Sequence, residues 1–470
     1  MTAAGRARRG ARASALALCA AWTLSAGCQR AAPPNIILYV VDTLRADAVG
    51  GDGNPGVRTP AMERVAHEGL RFRRAYANAS WTRPSMGSLL TGTYPRTHGA
   101  IGRHDALRAG VATLAGGLHA AGYRTAAVFA NPNIGTLYGF GEGFDDFIAL
   151  YPARMVHDAT VPQAYVGTAD HVVDRAVEWL RGRPTQPFFL LVFTVDPHAP
   201  YEPPAPYNTM YDPEYTGKVD GSLATLFGLL VAARRGNPPP ERDVRHLRAL
   251  YDGEVAFNDA QLARLLAELD RTRLAQQTLF LITSDHGEEF YEHGSGEHGH
   301  SLYEELIHVP LLLRWPGRVA ESRTYGGVVQ LLDLYPTLLH VAGAPVPAGP
   351  GRDLTDIILG RASASVPPVA YAEEHLDEHN LQMVLLDHRK LIYDAAIAQP
   401  LTFDLRKDPG EHHPLPGLPA PDLAFAISAI EQQNRPPADS TPRVVGPTQI
   451  PDSARQAMQA LGYGDPAQNP

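Results

Sequence analysis

Asn35-Ile-Ile-Leu-Tyr-Val-Val41 is one polar residue followed by an unbroken apolar run, with Asp42 directly behind it. A run with no polar alternation is the pattern of a strand buried on both faces, as when helices cover both sides of a parallel sheet. Residues 123–130, 188–193 and 279–282 repeat the pattern, and 309–314 reads as a further strand. Between the runs, apolar residues recur at helical spacing in 60–70, 111–121, 171–180, 247–269 and 331–342. Alternation of buried strands with helices predicts an α/β fold: a mixed, mostly parallel central sheet sandwiched by helices.

The polar residues stand just past these runs. Asp42 ends the first, Asn131-Pro-Asn133 follows the second and Asp196-Pro-His198 the third. Thr283-Ser-Asp285-His286-Gly287-Glu288 follows the fourth, with a histidine-rich stretch over 293–300. In open α/β sheets ligands collect at the carboxyl ends of the strands. Taken singly, Asp42 reads equally as a metal ligand or a helix cap, and the extra histidines as a solvated cluster. A second candidate is Ser80-Trp-Thr82-Arg-Pro-Ser-Met-Gly-Ser-Leu-Leu-Thr-Gly92. Small polar residues ahead of Pro84 mark a helix start, where backbone N–H groups favour negative charge. Thr82 there is either a capping residue or a hydroxyl nucleophile for an anionic ester. Carboxylates and a histidine from separate strand ends suit a divalent cation, which would lower the pKa of the Thr82 hydroxyl.

Length and charge bound the rest. At 470 residues and 44% hydrophobic the chain can bury a large core. A net charge of −9, with no long basic run after the N-terminus, argues against a nucleic-acid partner. The two cysteines, Cys19 and Cys28, both lie in the first thirty residues, so no disulfide framework or thiolate metal site is available. Arg6, Arg8, Arg9 and Arg12 precede an apolar run over 13–24, and Leu-Ser-Ala-Gly-Cys28 follows. That is the layout of an export signal, too short for a membrane span. The expected organisation is a signal over 1–28, a tether over 29–34 and a main domain over 35–360. A small C-terminal α+β subdomain with antiparallel strands over 361–415, and a proline-rich region with an unpatterned polar tail over 416–470, complete it. Residues 205–240 read as irregular.

In this order the segments resemble the sulfatase family of the alkaline-phosphatase superfamily. The likeness rests on Asn35-Ile…Asp42-Thr-Leu-Arg45-Ala-Asp47, Thr59-Pro60, Thr82-Arg-Pro-Ser85…Leu-Thr-Gly92 and Gly122-Tyr. It continues through Asp196-Pro-His198, Ser284-Asp285-His286-Gly287, Glu304…Val309-Pro310 and Asp333…Pro336-Thr-Leu338, and Phe403-Asp-Leu…Asp408-Pro…Glu411 resembles the family's ending. The resemblance implies an alkaline-phosphatase-like fold and one divalent ion on Asp42, Thr82, Asp285 and His286. It makes Thr82 the nucleophile, has His198 contact the ester and His298 donate a proton to the leaving group, with Asn131 and His300 beside the substrate. Histidine beside Asp285, where sulfatases often carry asparagine, favours zinc or manganese over calcium or magnesium. The N-terminal stretch is similar to a bacterial lipoprotein signal, implying export to the cell envelope and a lipid anchor on Cys28.

The chain departs from the family where the usual chemistry resides. Sulfatases convert a cysteine or serine to formylglycine; threonine, present here as Thr82, cannot form that aldehyde. Met86 replaces an arginine, Thr43 replaces an aspartate, and the lysine expected near Asn131 is absent. Fewer cations suit a monoanionic ester, such as a sulfate monoester, phosphodiester or phosphonate monoester, better than a doubly charged phosphate monoester. Three readings follow: a metal-dependent esterase acting on a small-molecule, glycan or lipid ester; a phospho-headgroup transferase of the envelope; and an inactive sulfatase-like binding lipoprotein.

Overall fold

The computed structural model describes residues 32–51, 56–151, 167–182, 184, 186–361, 369–376, 379–394, 400–433, 443–446, 449–461 and 463. The export signal with Cys28, and residues 29–31 of the tether, lie outside them. β1 (Asn35–Val41) is central, pairing in parallel with β5 (Phe188–Thr194) on one side and β6 (Thr278–Ser284) on the other. β3 (Arg124–Phe129) and β4 (Asp146–Ala149) extend the first side in parallel. On the other, β7 (His308–Arg314) runs antiparallel to both β6 and β2 (Leu70–Tyr76), and β8 (Arg323–Gln330) closes the edge parallel to β2. The order is β8-β2-β7-β6-β1-β5-β3-β4, with β7 alone reversed. The strand ends carrying polar residues therefore meet at one edge.

Every side chain of β1 is buried because its two faces feed two cores. Ile37, Tyr39 and Val41 pack with Met62 and Val65 of α1 (Pro60–His67), Val172 and Ala176 of α4 (Ala169–Arg181), and Leu262 and Leu265 of α6 (Glu241–Thr272). Ile36, Leu38 and Val40 pack with Met86 and Leu89 of α2 (Thr82–Thr91), Leu118 of α3 (Leu114–Ala120), and Leu338 of α7 (Leu334–Ala342). The long helix α6 also fixes its neighbours through polar groups. Asp259 accepts from the backbone N–H groups of Ala61 and Met62, at 2.9 and 2.8 Å, and so caps α1 from outside. Buried Asn258 accepts from Tyr39 Oη of β1 (2.9 Å) and donates to Thr194 Oγ1 of β5 and the Asp196 carbonyl, both at 2.8 Å.

Against the main sheet stands an antiparallel meander, β9 (Val369–Glu374), β10 (Leu381–Leu386), β11 (Arg389–Asp394) and β12 (Leu401–Asp404). Lys390 of β11 is fully buried, with Nζ 3.1 Å from Glu304 and 2.9 Å from Glu411. Residues 34–470 form one compact unit. No helix among the described residues is long and apolar enough to cross a membrane.

The structure corrects several expectations. Residues 205–240 are not irregular throughout: α5 (Leu223–Arg234) forms there, capped by Ser222. Its sequence is apolar on most sides, yet only Leu226 and Leu230 are buried, so no polar stripe marks the period. β2 and β8 were hidden because their sequences, LRFRRAY and RTYGGVVQ, carry arginines and glycines where an outer strand meets solvent. The tail is not unpatterned: α8 (Ala420–Gln433) and α9 (Asp452–Ala460) form, and α9 buries Ala454, Ala457 and Met458 on one side. Alanines carry most of that stripe, so its hydrophobic contrast is weak.

Asn258→Ala removes three buried hydrogen bonds and strands their partners. It is expected to lower stability by about 2–4 kcal/mol, read as a fall in the urea midpoint by circular dichroism. Retention of the wild-type midpoint would contradict this role.

Candidate active site

Thr82 stands at the first position of α2 rather than at its cap. The capping residue is Trp81, with extended backbone, and no side chain caps the helix. The Thr82 hydroxyl is thus not consumed by the helix start; it faces the converging strand ends. Oγ1 lies 3.3 Å from His286 Nε2, 3.3 Å from Asn131 Nδ2 and 3.4 Å from Tyr463 Oη. Thr82, Asp42, Asn131, Asp285 and His286 are all buried. Ser85, one helical turn on, donates to the Asp285 carbonyl at 2.5 Å and ties α2 to the end of β6.

Backbone geometry sets the carboxylates. Past β1 the chain turns sharply at Thr43, whose φ of 54° is left-handed for a branched residue. Tyr251 of α6 holds this turn: its hydroxyl donates to the Thr43 carbonyl (2.8 Å) and accepts from Arg45 N–H (2.9 Å). The turned Thr43 N–H donates to Asp285 Oδ1 at 3.3 Å, so it helps hold a carboxylate in place of the missing aspartate. Asp42 Oδ2 accepts from Asn131 Nδ2 at 2.6 Å. The other oxygens, Asp42 Oδ1 and Asp285 Oδ2, are buried without a hydrogen-bond partner, 3.6 and 3.4 Å from His286 Nε2. His286 Nδ1 is 2.9 Å from the Gly287 carbonyl, which can only accept. The proton is therefore on Nδ1, and the Nε2 lone pair faces the carboxylates.

Across from this group stand two more histidines. His198 Nδ1 is 2.7 Å from the Ala199 carbonyl, and His298 Nδ1 is 2.9 Å from Glu288 Oε1. Both Nε2 atoms point at Tyr463 Oη, at 3.0 and 2.7 Å. The rings lie 4.9 Å apart, and His298 is 4.5 Å from His286. Burial, then the neighbouring histidines, pushes His198 and His298 well below the ordinary imidazole pKa. Burial raises the Glu288 carboxyl to about 8. Asp42 is raised well above the carboxylate range by burial and then by Asp285, and Asp285 is raised mainly by burial. Burial, then Asp42, raises the Tyr463 phenol, which keeps its proton.

The sequence-derived residues Asp42, Thr82, Asn131, His198, Asp285, His286 and His298 thus share one cluster. His300 turns instead to Glu289, with Nε2 2.7 Å from Oε2. Met86 packs in the apolar core below α2 and offers the site no charge. Sequence reasoning missed three participants. Glu288, in the quoted Asp285–Glu288 run, orients His298. Arg83, next to Thr82, is buried over the Tyr138 ring (3.6 Å) and donates to the Asn133 side chain and the Gly102 carbonyl, locking the loop after β3. Tyr463 arrives from the chain's last described residues; the alanine-methionine stripe of α9 was its only signal.

The donor set fits a divalent cation. Asp42, Asp285 and His286 offer ligand atoms all within 4.8 Å of one another, with Thr82 Oγ1 alongside. Two partnerless carboxylate oxygens beside an imidazole lone pair leave a buried excess of negative charge, which a bound cation would offset.

Known proteins resemble this chain over most of its length. The sulfatase family model matches residues 34–344, and the model of the N-sulphoglucosamine sulphohydrolase C-terminal region matches 292–422. An arylsulfatase of Clostridium perfringens (strain 13 / Type A) is 27% identical over 431 residues, spanning 80% of this chain and 89% of its own. A multifunctional alkaline phosphatase superfamily protein of Trinickia caryophylli is 27% identical over 474 residues, spanning 82% and 92%. The solved phosphonate monoester hydrolase of Silicibacter pomeroyi shares the fold, with TM-score 0.71 at 24% identity over 87% of this chain and 99% of that one.

Purified protein dialysed against zinc or manganese is expected to retain about one ion per chain by elemental analysis. Asp285→Ala should weaken retention at least about tenfold. Equal retention by the variant would place the ion elsewhere.

Proposed function

The chain belongs to the sulfatase family of sulfuric and phosphoric ester hydrolases, and from that premise we propose that it hydrolyses a monoanionic ester through a covalent Thr82 intermediate. The observation that carries this reading is the position of Thr82 Oγ1. It lies 3.3 Å from the lone pair of His286, at a helix N-terminus, and Tyr463 Oη links it to the Nε2 atoms of His198 and His298. Threonine has no route to formylglycine, so an ordinary hydroxyl makes the attack. Because both halves of the reaction are displacements at sulfur or phosphorus, sulfate monoesters, phosphodiesters and phosphonate monoesters are all candidate substrates. The arylsulfatase and alkaline-phosphatase-superfamily relatives support that range. Met86 where the family carries an arginine, and no lysine near Asn131, support a single negative charge on the ester.

In the first half-reaction Thr82 Oγ1 forms a bond to sulfur or phosphorus as the bond to the ester oxygen breaks. The Asn131 amide, 3.3 Å from Oγ1, holds the nucleophile in line. The proton that Thr82 loses passes to the lone pair of His298 Nε2, whose opposite ring nitrogen Glu288 holds, and from there to the departing oxygen. His198 Nε2 contacts the same ester, its orientation fixed by the Ala199 carbonyl. In the second half, water attacks sulfur or phosphorus and gives a proton to His298 Nε2 as the bond to Thr82 Oγ1 breaks, and His298 hands that proton to Oγ1, regenerating the hydroxyl. A divalent ion on Asp42, Asp285, His286 and Thr82 would supply positive charge for the nucleophile's oxygen and the ester oxyanion. The His286 nitrogen supports zinc or manganese as that ion. The basic-then-apolar stretch over 6–28 supports export to the cell envelope with a lipid on Cys28, and the substrate as an envelope-accessible small-molecule, glycan or lipid ester.

The test compares p-nitrophenyl sulfate, bis(p-nitrophenyl) phosphate and p-nitrophenyl phenylphosphonate with metal-loaded protein and with Thr82→Ala. The variant is expected to lose on the order of 10³-fold or more in kcat. Mass spectrometry of quenched wild type should find a sulfo or phospho adduct on Thr82. Full activity of Thr82→Ala would overturn the assignment.

A further inference from the structure

The proposed chemistry leaves one partly buried group unexplained. Tyr463 Oη makes contacts to Thr82 Oγ1 (3.4 Å), His198 Nε2 (3.0 Å) and His298 Nε2 (2.7 Å) at once. Its ring packs against Trp81, His198 and His298, with centroids 6.3, 5.4 and 5.7 Å away. An imidazole Nε2 directs one hydrogen bond in the plane of its ring. While Tyr463 engages both histidines, neither is free to meet an ester oxygen. The phenol oxygen thus sits where the oxygen of a scissile ester must sit to touch nucleophile and proton donor together.

Accepting the Thr82 reading above, we propose that Tyr463 is an internal occupant of the leaving-group subsite, that substrate displaces it, and that the subsite is therefore shaped for an aryl oxygen. The attachment of the tail suits a removable occupant. Tyr463 follows α9, a nine-residue helix, and helices this short are not stable without tertiary contacts. What holds it is Met458 in one core, Leu461 in the other, the small buried side chains of Ala454 and Ala457, a Tyr138 Oη–Met458 Sδ contact at 3.9 Å, and the Tyr463 N–H bonded to the Met458 carbonyl at 2.8 Å. Alongside lies a cleft of about 600 Å³ walled by His198, Pro200, Glu254, Phe257, Ala460 and Leu461. Because the end of α9 forms one wall, withdrawal of the tail widens the space beside His198 for the alcohol portion of a substrate.

The full-length protein is compared with Tyr463→Phe and Tyr463→Ala, metal-loaded, by steady-state kinetics on p-nitrophenyl esters and by calorimetric titration with phenol and with cyclohexanol. Tyr463→Phe removes only the hydroxyl and keeps the packing, so it reports even if the alanine variant is unstable. We expect KM to fall about three- to tenfold in the phenylalanine variant and further in the alanine variant, as two or three hydrogen bonds no longer compete. Phenol should bind Tyr463→Ala at least about threefold tighter than wild type, and cyclohexanol should not. A loss of kcat of about a hundredfold in Tyr463→Phe at unchanged KM would make the phenol a working catalytic group and overturn the proposal. Unchanged KM together with unchanged phenol binding would overturn it too, since the tail would then not compete. The phenol titration does not depend on Thr82 as nucleophile, so failure of that assignment remains distinguishable.

Discussion

Two carboxylate oxygens buried without a partner, Asp42 Oδ1 and Asp285 Oδ2, are the constraint around which this molecule is arranged. Stranding two such atoms in a low-dielectric interior is costly unless positive charge arrives. The fold spends much of its polar inventory holding them there. Asn131 and the left-handed turn at Thr43 each satisfy one oxygen of a pair and leave the other aimed inward. Tyr251, Ser85 and Asn258 do nothing to the charge; they fix the backbone that carries it. A parallel sheet makes this feasible, because it brings the ends of β1, β3, β5 and β6 to one edge.

The same charge logic separates this chain from its relatives' usual chemistry. On the proposed reading, Met86 in the apolar core, Thr43 turned to donate through its backbone, and Thr82 as the nucleophile all remove parts a formylglycine site uses. What remains is a hydroxyl with metal-type ligands on one side and two nearly neutral imidazoles on the other. The imidazoles are oriented by acceptors, Ala199 carbonyl and Glu288, so their reactive nitrogens face the same point. That geometry serves proton transfer to and from an alcohol oxygen.

Legibility in the sequence followed physical contrast. Strands buried on both faces read plainly as apolar runs, so β1, β3, β5 and β6, and the residues at their ends, were found. Outer strands such as β2 and β8 alternate arginine or glycine with apolar residues and gave no clear period. α5 was hidden by being apolar nearly all round, and α9 by relying on alanine. Thr82 read as either cap or nucleophile because a helix start looks the same in both cases; the placement of Trp81 as the cap removes the first reading. Glu288 and Tyr463 act through spatial neighbours ten and more residues away, a relation no local pattern encodes.

Lys390 carries a consequence for the chain's architecture. Its ammonium, fully buried between the partly exposed Glu304 ahead of β7 and the buried Glu411 beyond the meander, joins the two sheets by charges largely shielded from water. Peeling the meander away would leave buried carboxylates facing no cation, a penalty far larger than the ordinary strength of a surface ion pair. The small sheet is therefore a cooperative part of the main fold: it cannot melt, be exchanged or be trimmed without taking the catalytic layer with it.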